Sequence, residues 1–274
     1  LLEAMTEFDE TLAWLGGMPS GWQTLRLRGR EWKHGPRLMQ AFEREVADAR
    51  SRGRSSRVVR IRKIGTPDSR NADPEPEEGE TEWKLWVERP DRIRAEFGVV
   101  DDWITAVFQG DTWWSWAPSR GARTNGGRHN VGHGRGPGWA LVDAAAIPAL
   151  LSLSVVDTGR FLNRETIRVR GVPQKAAADE APLALLRDHL VELGMGADEY
   201  VLTVDRTTGV LLRSEAFVFG QPFQIIEALD FVVDEVLSAE TFVLNLPAGV
   251  AFEEALPPQV RPPHRSRILR LLGR

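Results

Sequence analysis

The residue types that perform acid–base, nucleophilic and metal chemistry are present in this 274-residue chain, but their spacing does not assemble them. His129 and His133 stand four apart, which on a helix would set two imidazoles on one side as metal ligands. The intervening Asn130-Val131-Gly132 and the surrounding glycines predict a loop instead, with no acidic third ligand beside it. Ser115 lies between Trp114 and Trp116 without the glycines of a nucleophile elbow. Asp101 and Asp102 would make a carboxylate pair, yet neighbours on a strand point to opposite faces, so they read as turn residues. The glycines at 126, 127, 134, 136 and 138 lack the strand-to-helix context and the terminal lysine of a phosphate loop. With no cysteine in the chain, disulfides, thiolate catalysis and thiolate metal sites are all excluded. No catalytic residue, metal or cofactor is assigned.

What the chain does concentrate is indole. Six of its ten tryptophans, at 83, 86, 103, 113, 114 and 116, fall inside short segments that alternate like strands. Side chains two apart share a face, so Trp114 and Trp116 point together and Trp113 points away. Aromatics on both faces mean either that a second layer covers the sheet or that the sheet borders an apolar space. The expected ligand-binding set is Trp83, Trp86, Arg94, Trp103, Phe108, Trp114, Trp116, Phe217, Phe219 and Phe231; the alternative for each aromatic is a place in a filled core. Arg92 and Arg94 share one face, and a guanidinium turned inward there needs a carboxylate, a backbone carbonyl or a ligand headgroup.

These segments must be held by a mainly antiparallel framework. Helices are expected at 6–16, 36–50 and 139–153, the last broken near Pro148, with an inserted helix at 182–193. Strands are expected at 25–28, 58–64, 82–88, 92–98, 103–109, 112–117, 165–171, 200–206, 209–219, 222–234 and 241–246. Turns at Arg89-Pro90-Asp91, Gln109-Gly110-Asp111 and Thr207-Thr208-Gly209 are too short for parallel crossovers. The segment 66–80, rich in Pro, Asp and Glu, reads as a flexible loop, and 124–138 as a glycine-rich one. The expected fold is α+β, one domain over 1–274, built as a single strongly curved antiparallel sheet, a half-open barrel with helices packed in its concave side.

A net charge of −4 offers no electrostatic reason to expect nucleic acid. No apolar run approaches the roughly 20 residues of a membrane-spanning helix. As written the chain shows no export signal, so the expected location is cytoplasmic, or exported if an N-terminal segment precedes Leu1.

Two passages resemble the LolA/LolB lipoprotein-carrier superfamily. Arg89-Pro90-Asp91-Arg92-Ile93-Arg94-Ala95-Glu96-Phe97, followed by Gly110-Asp111-Thr112-Trp113-Trp114-Ser115-Trp116-Ala117-Pro118, is similar to a strand pair of that family. Tyr200 to Leu211, continuing to Phe242-Val243-Leu244-Asn245-Leu246-Pro247-Ala248-Gly249-Val250, resembles its C-terminal meander. The resemblance implies a half-open barrel closed by helices, a cavity for an acyl chain, and a lid-latching role near Arg94. The same fold serves a periplasmic sensor of an anti-sigma factor and a cofactor-independent enzyme of violacein biosynthesis. The function expected is therefore non-enzymatic binding of a lipid or acyl chain, as carrier or sensor. The alternatives are a regulatory domain acting through a protein partner and a cofactor-independent biosynthetic enzyme.

Overall fold

Alternating apolar and charged side chains give each strand one face that excludes water and one that does not, and the burial pattern of the computed structural model follows that period. The structure describes residues 15, 21–51, 77–99, 101–128, 134–174 and 192–255. Strands β1 (Thr24–His34), β2 (Glu78–Glu88), β3 (Arg92–Val99), β4 (Asp102–Gln109), β5 (Thr112–Ala117) and β6 (Gly121–Thr124) form one half of the sheet. The other half comprises β7 (Leu151–Phe161), β8 (Arg164–Pro173), β9 (Glu199–Asp205), β10 (Leu211–Val218) and β11 (Gln221–Val233). A short β12 (Phe252–Glu254) completes a single 12-stranded sheet in the order 12-6-5-4-3-2-1-11-10-9-8-7. Every pairing is antiparallel except β12 with β6.

β1 joins the halves, because it pairs with β2 along its full length and with β11 on its other edge. Among the described residues the helices α1 (Gly35–Ser51), α2 (Pro137–Val142) and α3 (Ile147–Leu150) accompany it. One face carries Leu25, Leu27, Trp83, Leu85, Val87, Ile93, Ala95, Phe108 and Trp113, all buried. α2 lies on that face, since a Cβ placed on its Gly138 would meet Trp83 Cε3 at 2.5 Å. The residues after the 175–191 segment pack there too: Gly194 sits against Ala216 and Phe223, and Gly196 against the backbone of Ala41 in α1.

The mainly β, largely antiparallel sheet agrees with the expectation, but the strands are not strongly curled or closed, and the ladder ends at β7 and β12. Three element assignments are corrected. The helix expected to run through 153 stops at Leu150 and the chain enters β7, where Val155, Val156 and Thr158 favour an extended backbone. Pro148 lies in the first turn of α3, where its missing N–H costs nothing. The strand expected at 241–246 is a 3-10 turn (Ala239–Phe242) followed by irregular chain, whose carbonyls at Thr241 and Val243 bond a guanidinium rather than a strand. Residues 78–80, assigned to a loop, extend β2 because the full length of β1 is available as their partner. The expected 6–16 helix except for Leu15, the 58–64 strand, His129, His133 and the 182–191 part of the inserted helix lie outside the described residues.

Candidate functional site

The sheet has two chemically different faces, and the expected ligand-binding set divides between them. Trp83, Phe108 and Phe231 are on the helical face. Trp83 is 1% exposed and fills slots left by two glycines, with Gly29 on the next strand beneath its ring and Gly138 of α2 above it. The Arg135 guanidinium lies 5.3 Å from the Phe108 ring centre and 4.5 Å from that of Trp139, and the Arg164 guanidinium 4.8 Å from that of Phe231. These aromatics are packed core.

Trp86, Arg94, Trp103, Trp114, Trp116 and Phe217 are on the opposite face, each half-buried. Phe219 is in the β10–β11 turn, 70% exposed and away from the rest. Arg94 is the anchor of the irregular C-terminal crossing: its Nη1 donates to the carbonyls of Thr241 and Val243, each at 3.2 Å, and its Nε and Nη2 to Glu96 at 2.8 and 2.6 Å. Its guanidinium also lies 5.8 Å from the ring centre of Trp86. Arg92 reaches Phe242 of the same crossing, 5.1 Å from its ring centre.

On the same face lies an open hollow of about 870 Å³, lined by Glu80, Glu82, Gly98, Asp101, Trp103, Trp116 and Pro118. The register explains why these meet. Glu82 pairs with Gly98, and Gly98 with Trp103, so one row across β2, β3 and β4 has a carboxylate and an indole separated by a residue without a side chain. Trp116 stands opposite Thr105, two residues along β4 from Trp103 on the same face. Gly98 has φ of +153° and a Cβ there would be 2.4 Å from the carbonyl oxygen of Asp102, so the gap beside the indole depends on glycine. Ser119 secures the far rim, its hydroxyl and backbone N–H donating to Asp102 at 2.7 and 3.2 Å. Those bonds hold the Asp102 carboxyl below the usual carboxylate range.

A second hollow of about 300 Å³ lies on the same face, sharing Glu80 with the first and lined also by Arg30, Trp32, Arg213, Ile225 and Glu227. Its charges are consumed internally. Glu227 accepts from Arg30 Nε at 2.7 Å and from Arg213 Nη1 at 2.6 Å, while Arg30 Nη1 reaches Glu80 at 3.2 Å. Of the expected site residues, only Trp103 and Trp116 line either of these hollows. Sequence reasoning left Glu80, Glu82, Gly98 and Pro118 out of the expected site and read Asp101 as a turn residue. The available signal was the alternation Glu80, Glu82, Lys84, Trp86, which places four side chains on one face once β2 is extended to Glu78.

Glu192, shortly before β9, is largely withdrawn from water, and burial pushes its carboxyl up to about 7 despite the counteracting charge of Arg135; Asp143 and Glu31 add to the rise. Its backbone carbonyl accepts from Gln224 Nε2 at 2.8 Å, and the same amide donates to Glu31 at 2.8 Å. Below the ordinary carboxyl range, folded and unfolded chains both hold this proton and the fold is unpenalised. As the pH rises towards 7 only the folded chain still holds it, so stability falls; above 7 the loss is complete. Glu192→Gln should therefore flatten the decline, matching the parent near pH 4 and exceeding it at pH 8 by on the order of 2–4 kcal/mol. Urea midpoints at the two pH values check this, and an equal effect at both would refute it.

Among the described residues, no helix is long and apolar enough to cross a membrane, and no group of three or more His, Asp or Glu side chains could hold a metal ion. No protein-family model matches the chain, and neither does any curated protein. Solved structures do match. An uncharacterized conserved protein from Thermus thermophilus is 8% identical, with a TM-score of 0.46 over 91% of this chain and 100% of its own. MucB is 10% identical, with a TM-score of 0.47 over 86% of this chain and 62% of its own. A LolA superfamily protein from Nitrosomonas europaea is 8% identical, with a TM-score of 0.29 over 88% of this chain and 99% of its own.

Proposed function

We propose that this chain is a non-enzymatic binding module that takes an apolar molecule, such as an acyl chain, against Trp103 and Trp116, either to carry it or to report its presence. The observation that carries this reading is the hollow of about 870 Å³ walled by two half-buried indoles. Its size falls in the range of roughly 300–1,000 Å³ typical of small-molecule sites. An indole supplies a broad rigid surface at little conformational cost, and an alkyl chain laid against two of them removes apolar area on both sides from water. The reading also accounts for apolar side chains being kept on the face that the three helices do not cover.

A regulatory role has its own support in the Arg94 anchor, which ties the crossing at Thr241 and Val243 to β3 on the face that carries the hollow. MucB is described in complex with MucA; for this chain a protein partner belongs to the proposal.

Calorimetric titration with an uncharged alkyl probe, dodecyl maltoside below its micelle concentration, tests the site. Saturable binding is expected, with Trp116→Ala and Trp103→Ala each weakening it about tenfold, or about 1.4 kcal/mol. Absence of saturable binding would sink the function; binding indifferent to both substitutions would move it to another site.

A further inference from the structure

The walls of the same hollow say what kind of polar end its ligand carries. Three carboxylates line it, from Glu80, Glu82 and Asp101, and among the described residues no basic side chain does. Glu80 is already engaged by Arg30 at 3.2 Å. Glu82 and Asp101 are both exposed, and neither carboxylate makes an ion pair or hydrogen bond among the described residues. Beside Gly98 and Pro118, the rest of the wall is the two indoles, whose faces carry the negative end of the ring quadrupole and attract cations. One of them already shows that preference within the chain: Lys84 Nζ lies 5.2 Å from the ring centre of Trp103, steadied by Glu96 at 3.6 Å.

We propose that the hollow selects an amphiphile with a cationic end, an alkylammonium or trimethylammonium group seated between Glu82, Asp101 and the faces of Trp103 and Trp116. This rests on the reading of the hollow as a ligand site and adds a charge requirement to it. The assignment follows from complementarity. A carboxylate or phosphate end would meet the unpaired carboxylates of Glu82 and Asp101, the nearby cations of Lys84 and Arg30 being already engaged by Glu96 and Glu80, whereas an ammonium group meets attraction from both kinds of side chain. The neighbouring hollow makes a useful contrast, since there Arg30 and Arg213 already neutralise Glu227 and leave no such preference.

The test compares three probes with the same dodecyl chain, each below its micelle concentration: dodecyltrimethylammonium, dodecyl maltoside and dodecanoate. At low ionic strength the cationic probe is expected to bind at least tenfold more tightly than dodecanoate, with the uncharged probe between them. In the double variant E82Q/D101N that preference should shrink to less than threefold. Because both carboxylates are exposed, raising the salt concentration should also erode the preference. Dodecylphosphocholine tells the two sources of the group apart: affinity matching the cationic probe points to a choline headgroup, and weaker affinity to a simple alkylammonium. Equal affinity for all three probes, or a preference that survives in E82Q/D101N, would overturn the charge assignment while leaving the binding site standing. Failure of every probe to bind would remove both.

Discussion

Trp83→Ala should lower the stability of this chain by about 3–5 kcal/mol, the cost of emptying a large buried aromatic site. The ring is fully buried with its indole N–H unpartnered, so its place is set by packing and not by a hydrogen bond. Gly138→Ala should lower stability as well, by roughly 1–3 kcal/mol, because the new methyl would lie 2.5 and 2.7 Å from Trp83 Cε3 and Cζ3. The three nearest contacts of that methyl all belong to the Trp83 ring, which makes the pair testable as a unit. In the Trp83→Ala background the Gly138→Ala change should be neutral or mildly stabilising, since alanine is a better helix former than glycine by about 1 kcal/mol. A double-mutant cycle from urea denaturation reads this coupling. Additive losses would mean that α2 is not held against the sheet through this ring.

The second large effect is expected at Asp205, where β9 ends. Its carboxylate is fully buried and accepts from Arg164 Nε and Nη2, from the Thr208 hydroxyl at 2.8 Å, and from the backbone N–H groups of Thr207 and Thr208 at 3.2 and 2.8 Å. One side chain therefore closes the β9–β10 turn and neutralises a guanidinium that also stacks on Phe231. Asp205→Ala leaves those donors unsatisfied and the arginine uncompensated, a loss of about 3–5 kcal/mol for a broken buried pair. Asp205→Asn keeps one acceptor for the turn but no charge for Arg164, and should fall between the alanine variant and the parent. Equilibrium unfolding checks both; a loss below about 1 kcal/mol for alanine would show that water replaces the carboxylate freely.

Both sites illustrate what could be read without coordinates. The turn at Thr207-Thr208-Gly209 was legible because its residue types impose local geometry, and the antiparallel order of β2 to β5 because connections that short permit nothing else. The role of Asp205 was not legible, since Arg164 lies 41 positions away in the chain. Likewise the irregular path at 241–246 depends on Arg94, 147 positions from Thr241, and a local β pattern there carries no trace of that guanidinium. The beginning of β7 was obscured for a different reason: the alanine- and leucine-rich approach to it is helical, and the change of period falls within a few residues of Pro148.

Local alternation by itself determined which side chains travel together, so that Trp114 shares a face with Trp116 and Trp113 takes the other. The short connections likewise determined the antiparallel pairing of β2 to β5. Only the tertiary structure decided which face the helices cover, and hence that Trp83 and Phe108 are packed core while Trp103 and Trp116 border open space. The period of a strand distinguishes two faces but labels neither; the label comes from what packs against them, and those contacts join residues far apart in the chain.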